Sequence, residues 1–404
     1  MSKPLAGIKV VEVSMWAFVP SAGAVLSDWG AEIIKIEPPT GDPMRGLNYA
    51  GIAPGAYGFT FMWEIFNRGK RSVAIDLAAP GAAELVYKMI ADADVFLTSL
   101  LPAARRKLGI DVDDIRSRNP KIIYAVGSGQ GAFGDEAEKG GYDSISFWAR
   151  SGIASAITPP GSDFPIGMPG GAFGDGMSGA IFAGGIAAAI AQRERTGEGT
   201  IVDGALLASA MWALQPGIVG ATLTGVQELP KGTRNMMPNP LVNNYRCSDG
   251  RFVALCMLQG QRYWPGFCEA LGRADLATDQ RFATDAARAA NINDCMDALD
   301  AVFATEPLSH WTAALATQPG QWDVVQQAGE LATDPQAVAN GYVQSVDYGD
   351  GRSITMVSSP VQFGRQASAI RPAPGLGDHS DEVLAELGMT EDEIIDAKVA
   401  GIVG

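Results

Sequence analysis

Apolar residues in the first forty positions fall into two short runs with a helical stretch between them. Ile8-Lys9-Val10-Val11-Glu12-Val13 and Ala31-Glu32-Ile33-Ile34-Lys35-Ile36-Glu37 read as strands, and Ser21 to Trp29 reads as a helix. Together they make a βαβ unit. The turn from Ser14 to Pro20 then lies at the carboxyl edge of a parallel sheet, where open α/β folds hold ligands. The pattern continues with a helix over 81–92, a strand at Val95-Phe96-Leu97 and a buried strand at Ile122-Ile123-Tyr124-Ala125-Val126. A helix is also expected to begin over 142–152, with Asp143 near its cap.

Further along, Ala180 to Ile190 is a run of small apolar residues without Pro, closed by Gln192-Arg193-Glu194-Arg195 and Gly197. It predicts a buried helix whose Gly and Ala faces let neighbours approach closely. A helix from Ala205 to Leu214 ends before Pro216, and a loop rich in Gly, Pro and Asn follows to Asn244. That change of composition places a domain boundary near 220. Beyond it, Tyr245 to Leu255 reads as a hairpin turning on Asp249-Gly250, with helices over 261–272, 284–304 and 307–316.

A chain of 404 residues is too long for one ordinary core, which agrees with a second domain. The 49 glycines argue for many turns and close backbone approaches. Net charge is −15 and no basic block exceeds Arg105-Arg106-Lys107, so nucleic-acid binding has no electrostatic footprint. Cys247, Cys256, Cys268 and Cys295 lack CxxC spacing and there are two histidines, which reads as reduced packing cysteines and no metal site. Lys9 and Glu12 interrupt the first apolar run, so no signal segment is expected there. The uncharged stretch from Gly176 to Ala191 is shorter than a bilayer span; a cytoplasmic protein without membrane association is expected.

One acidic residue stands out. Asp175, between Gly174 and Gly176, opens the Gly/Ala helix. It fits an N-cap that accepts a backbone N–H, and equally a carboxylate held anionic by the helix end and left open to a ligand by its glycines. The residue types leave both open. A GxGxxG at Gly129, Gly131 and Gly134 follows a strand, but the next residues, Asp135 to Gly141, carry no helical period, so a nicotinamide site is not expected.

Gly174-Asp175-Gly176-Met177-Ser178-Gly179, followed after the helix by Thr196-Gly197-Glu198-Gly199-Thr200-Ile201-Val202-Asp203, resembles the class III CoA-transferases, of the formyl-CoA and carnitine CoA-transferase type. The likeness recurs in order over roughly nine tenths of the chain. It implies a large Rossmann-like CoA-binding α/β domain over 1–220, a smaller inserted α+β domain with linker over 221–325, and a return to the large domain over 326–404. It also implies an interlocked homodimer with no metal or redox cofactor, using acyl-CoA and a carboxylic acid as substrates.

Residue by residue, the resemblance makes Asp175 the nucleophile. It assigns CoA contacts to Ser14, Met15, Trp16 and Ala17 in the first turn, and to Arg68, Lys70 and Arg71 in Asn67-Arg68-Gly69-Lys70-Arg71-Ser72. Lys107 before Leu108-Gly109, Lys139 and Tyr142 complete that set. Gly129, Gln130 and Gly131 become the loop at the thioester end, with backbone N–H groups for an oxyanion. Pro38 and Pro39 stand where some members carry a phosphate-binding Arg, which leaves Arg45 as a substitute; Thr98-Ser99-Leu100 also departs from the family pattern. Tyr49, Tyr57, Phe59, Phe61, Trp63 and Phe66 form the densest aromatic cluster and fit either core or a pocket for a bulky acid. His379 matches a family position and reads as structural, and His310 as surface or core. Related racemases place His where Tyr142 stands, and Tyr is a poor base near neutral pH. An acyl-CoA racemase and a non-catalytic acyl-CoA-binding protein remain the alternatives.

Overall fold

The computed structural model describes residues 3–47, 59–232 and 234–404. Two compact units result, one from Met1–Leu229 with Thr333–Gly404 and one from Pro230–Ala332.

In the first unit the chain runs β1 (Lys9–Val13), α1 (Phe18–Asp28), β2 (Glu32–Glu37), α2 (Phe61–Asn67), β3 (Arg71–Ala74), α3 (Ala82–Ile90) and β4 (Val95–Thr98). It continues through α4 (Pro102–Leu108), α5 (Val112–Arg118), β5 (Ile123–Ser128), α6 (Ile153–Ile157), α7 (Phe173–Thr196), β6 (Ile201–Ala205), α8 (Leu206–Ala213) and α9 (Gln215–Thr224). All six strands are parallel, in the order β3-β2-β1-β4-β5-β6. The order reverses between β1 and β4. The turn Ser14–Ala17 leaves the sheet at that reversal, where a crevice opens at the carboxyl edge.

Alternation within each strand divides the core into two layers. Val10, Ile33, Val95, Leu97, Ile123 and Ala125 pack under α1 and α7 with Val19, Ala22, Phe182 and Ile186. Val11, Ile36, Val73, Phe96 and Tyr124 face the other way, against Val86 and Ile90 of α3 and Ile115 of α5. That second layer is closed by Val383, Leu384 and Ile394, which arrive from the chain's last hundred residues. Hydrogen bonds from His379 N–H to the Ser72 carbonyl and from Gly404 N–H to the Ala74 carbonyl stitch this return onto β3.

Helix α7 is long and apolar enough to cross a bilayer, contrary to the shorter stretch expected. Its Gly179, Phe182, Ala183, Ile186 and Ile190 face is nevertheless buried against α1 and the sheet, as in the core helix of a sheet protein. The helix expected at 142–152 is a wide π-type turn over Asp143–Ala149, broken at Gly152, whose φ of 90° is left-handed.

The second unit is built on a three-stranded antiparallel sheet of β7 (Val242–Arg246), β8 (Phe252–Cys256) and β9 (Trp322–Val324). The β7–β8 hairpin turns through Asp249-Gly250, with Gly250 at φ 82°. The expected helix over 284–304 divides at Asn291, whose side chain donates to the Ala287 carbonyl and ends the first segment. Trp264, Phe267, Phe303, Tyr245 and Trp311 fill the core with Cys268 and Cys295, and all four cysteines are free thiols.

Candidate active site

Helix α7 begins after Ala172, which holds a left-handed φ of 60°. Its first-turn amides are not capped by its own residues. The Gly174 N–H donates to both carboxylate oxygens of Asp143, at 3.1 and 3.0 Å, and the Asp175 N–H also donates to Asp143. Asp143 was expected to cap its own helix; it caps α7 instead, because the π-type turn aims its side chain at the start of that helix.

With that cap in place, Asp175 is not an N-cap. It lies inside the first turn, and among the described residues no donor or cation pairs with its carboxylate. Burial, then the negative charge of Asp143, pushes its pKa up to about 7. Asp143 is itself raised by burial, against the pull of the two backbone N–H groups it accepts.

Two glycines let α7 reach this position. A Cβ on Gly174 would lie 2.2 Å from the Phe147 ring and 2.4 Å from Asp143 Oδ1, and one on Gly179 would lie 2.6 Å from Ser21 of α1. Gly176 is different: its Cβ direction meets only Phe66, at 3.9 Å, so the space beside Asp175 stays open.

The apolar surroundings come from three segments. Ala172 packs with Ala17, Met44, Met62, Trp63 and Phe66, and Trp16 and Phe61 join the same cluster. Trp16 is at φ 69°, and its ring meets Tyr142 edge-on with centroids 5.8 Å apart. Tyr142 adjoins Asp143 in sequence, so the Trp16–Tyr142 pair and Ala172 converge on the α7 N-terminus. Of the aromatic residues expected here, Phe59, Phe61, Trp63 and Phe66 belong to the described residues, whereas Tyr49 and Tyr57 lie outside them.

In the first turn, Ser14 and Ala17 are buried, and Met15 and Trp16 are partly exposed. Internal acceptors hold its backbone: Met15 N–H donates to Ser99 Oγ at 3.0 Å and Trp16 N–H to Asp42 Oδ1 at 3.1 Å. The Met15 and Trp16 amides are thus satisfied within the fold.

The basic motif is also tied to carboxylates of the same unit. Arg68 pairs with Asp28 at 2.7 Å and donates to the Val357 carbonyl. Lys70 is fully buried, with Nζ donating to Glu12, Asn67 and the Pro20 carbonyl, and burial lowers its pKa to about 8. Arg71 bridges Glu32, Glu382 and Glu386. Arg68 and Lys70 are buried with carboxylate partners inside the fold, as buried cations require, whereas Arg71 is partly exposed and its glutamate partners are exposed. Arg45 is engaged likewise: it forks onto Glu37 at 2.8 Å through both Nε and Nη2, and stacks 3.6 Å from the Trp63 ring centroid.

A group of exposed cations lies elsewhere, on α4 and on the segment after β5. Lys107 is exposed and has no ion pair among the described residues; Arg106 meets Glu138 at 2.6 Å, while Lys139 and Arg150 share Glu136. Such exposed pairs exchange partners cheaply. Arg106 and Arg150 were not singled out from sequence, where only Lys107 and Lys139 carried a signal.

The loop after β5 is a close-packed corner. A Cβ on Gly129 would lie 2.6 Å from Gly141 Cα, Gln130 Nε2 donates to Ser146 Oγ at 3.0 Å, and Gly131 N–H donates to Ser128 Oγ at 3.0 Å. The Gly131 N–H is thus engaged by the Ser128 hydroxyl. No helix opens on Gly129, Gly131 and Gly134, as the absent helical period required. This loop and Ser99–Pro102 line a cleft of about 190 Å³ along the ends of β4, β5 and β6.

CoA-transferase family III matches over residues 5–380. The (R)-2-hydroxy-4-methylpentanoate CoA-transferase of Clostridioides difficile is 30% identical over 99% of both chains. The cinnamoyl-CoA:phenyllactate CoA-transferase of Clostridium sporogenes is 29% identical over 96% of this chain and 94% of its own. Among solved structures, a CAIB/BAIF family protein from Brucella suis superimposes with TM-score 0.82 at 28% identity, covering 96% of this chain and 100% of that one. On this evidence the chain belongs to CoA-transferase family III, enzymes that move CoA between an acyl-CoA and a carboxylate.

Proposed function

We propose that Asp175 carries CoA during turnover. Its carboxylate attacks the donor acyl-CoA carbonyl; the C–S bond breaks, leaving an aspartyl acyl anhydride and CoA thiolate. The thiolate attacks the aspartyl carbonyl, forming an aspartyl-CoA thioester and releasing the donor acid. An acceptor carboxylate then attacks that thioester, giving a second anhydride and thiolate. Attack of the thiolate on the acceptor's acyl carbon yields the new acyl-CoA and restores Asp175.

The observation that supports this reading most is the state of Asp175: partly buried, without a cation or donor on its carboxylate among the described residues, and raised to about 7. A carboxylate so placed is more basic than one in water and, once ionised, a better nucleophile. Its apolar neighbours keep water from the two hydrolysable intermediates. Lys107, Lys139, Arg106 and Arg150 are the exposed cations that suit the CoA phosphates.

We include a homodimer in the same reading. Phe173, Met177 and Ile181 stand exposed along one face of α7, with Trp212 and Leu223 exposed on α8 and α9, and a second copy would bury them. Sedimentation of the purified protein as a monomer would remove that part.

The test of the chemistry is mass spectrometry of enzyme quenched during turnover. A CoA adduct on the peptide carrying Asp175, cleaved by hydroxylamine, is expected; no adduct, or one on another residue, overturns the reading.

A further inference from the structure

The relatives' names span acids with apolar bodies, such as phenyllactate, and dicarboxylic acids, such as succinate and glutarate. Names alone do not choose between them; the surroundings of Asp175 do. Resting on the reading of Asp175 as nucleophile, we propose that this enzyme takes monocarboxylic acids with a flat or branched apolar body, and that Trp16 is the residue that selects them.

Charge supplies the first argument. A dicarboxylate needs a cation for its second carboxylate, because an unpaired charge in a buried pocket is costly. The one charged group felt by Asp175 is Asp143, which is negative and repels such an acid. The cations packed around α1 and the start of α2 have carboxylate partners: Lys35 with Asp42 at 3.0 Å, Lys70 with Glu12 at 2.9 Å, Arg45 with Glu37 at 2.8 Å, and the exposed Arg352, over the Phe59 ring, with Asp350 at 2.7 Å.

Shape supplies the second. Trp16 holds a left-handed backbone, φ 69°, which a residue with a Cβ rarely adopts. The surrounding structure enforces it. Asp42 Oδ1 accepts the N–H of Trp16 at 3.1 Å and that of Met44 at 2.9 Å, while its other oxygen faces Lys35. Lys35 in turn donates to the Ser14 carbonyl at 2.8 Å, so the turn is fixed at both ends by a fully buried pair. This strained backbone carries an indole that stays partly exposed, meets Tyr142 edge-on and joins the cluster shared by Ala172 and Phe66. A rigid aromatic wall of this kind discriminates on apolar surface, with one methylene worth tenfold or more. Asp42 is then a positioning residue that acts through Trp16.

The experiment measures kcat/KM with one acyl-CoA donor and a panel of acceptors: acetate, 4-methylpentanoate, 3-phenylpropionate, succinate and glutarate. We expect 4-methylpentanoate and 3-phenylpropionate to exceed both dicarboxylates at least tenfold. In Trp16→Ala the ratio of 3-phenylpropionate to acetate should fall at least tenfold, with Trp16→Phe restoring most of it. Preference for succinate or glutarate, or an unchanged ratio in Trp16→Ala, overturns the proposal, and the wild-type panel decides even if that variant folds poorly. Trapping the Asp175 adduct in parallel separates the failures. An adduct with the wrong acid preference sinks only this inference, whereas no adduct sinks the nucleophile as well.

Discussion

Asp143 and Gly174 are joined across 31 positions of sequence, both carboxylate oxygens of the first accepting the N–H of the second. One acidic side chain thereby caps the helix bearing Asp175 and places a negative charge beside it. The two effects separate by substitution. Asp143→Asn keeps an acceptor oxygen and removes the charge, so the Asp175 pKa should fall, and the acid limb of kcat/KM, expected near pH 7 in the native enzyme, should move lower. Asp143→Ala removes the cap too and should cost about 1 kcal/mol of stability. A pH–rate profile with an unmoved acid limb in Asp143→Asn would contradict this coupling.

Asp175 also has a signature in stability. Its folded pKa, about 7, lies above the ordinary aspartate value near 3.9, so ionisation opposes folding. The penalty builds as pH rises between those values and is complete above 7. Asp175→Asn removes it while abolishing transfer. The variant's stability advantage over wild type should widen by roughly 2 kcal/mol between pH 5.5 and pH 8, an upper figure from about 1.4 kcal/mol per unit. Urea titrations at both pH values check the sign: a narrowing gap would mean that Asp175 is ionised at little cost.

The glycines of α7 divide by what surrounds them. Gly179→Ala drives a Cβ to 2.6 Å from Ser21 and 2.8 Å from the Phe18 carbonyl oxygen, and should destabilise by about 1–3 kcal/mol. Gly176→Ala meets only Phe66 at 3.9 Å and gains helix propensity, so its fold should be retained or stabilised by up to about 1 kcal/mol. Denaturation midpoints of the two variants, measured side by side, should move in opposite directions or differ by the first amount.

Cations of the large unit should likewise fall into two classes. Lys107→Ala leaves a solvated surface and should weaken CoA binding about tenfold, more at low salt, with no loss of stability. Lys70→Met strands Glu12 without one of its partners and should cost about 3 kcal/mol. Calorimetric CoA titration and thermal melts of each variant would expose a misassignment if the two patterns were exchanged.

The sequence made the parallel sheet legible because buried parallel strands read as short apolar runs, and Val10-Val11 or Ile33-Ile34 have no other plausible place. The turn after β1 was located for the same reason. What failed was what depends on burial and long-range contact. Arg68, Lys70 and Arg71 look like a solvated basic turn when written in line; only the fold shows Lys70 sealed beneath α1, beside the gap left by Gly23, whose Cβ would lie 3.0 Å from its Nζ. Asp143 was read locally, as the cap of the nearest helix, because its real partner is remote in sequence. The break at Asn291 was hidden by an uninterrupted helical composition, since a single side chain bonding back to the Ala287 carbonyl ends the segment there. Asp175 itself was visible as chemistry, but its two readings could be separated only by seeing which residue caps α7.

Helix α7 is bolted to α1 by contacts that tolerate no added methyl at Gly179, whereas the rings around its start are borne by the turn after β1, the segment over Tyr142–Phe147 and helix α2. Reaction and selectivity are therefore inherited on different parts of the chain. A lineage can exchange one acid for another by rewriting those rims while the anchored helix keeps its register. Enzyme engineers seeking a new acceptor should randomise positions 15, 16, 61 and 142 and leave the α1–α7 seam alone.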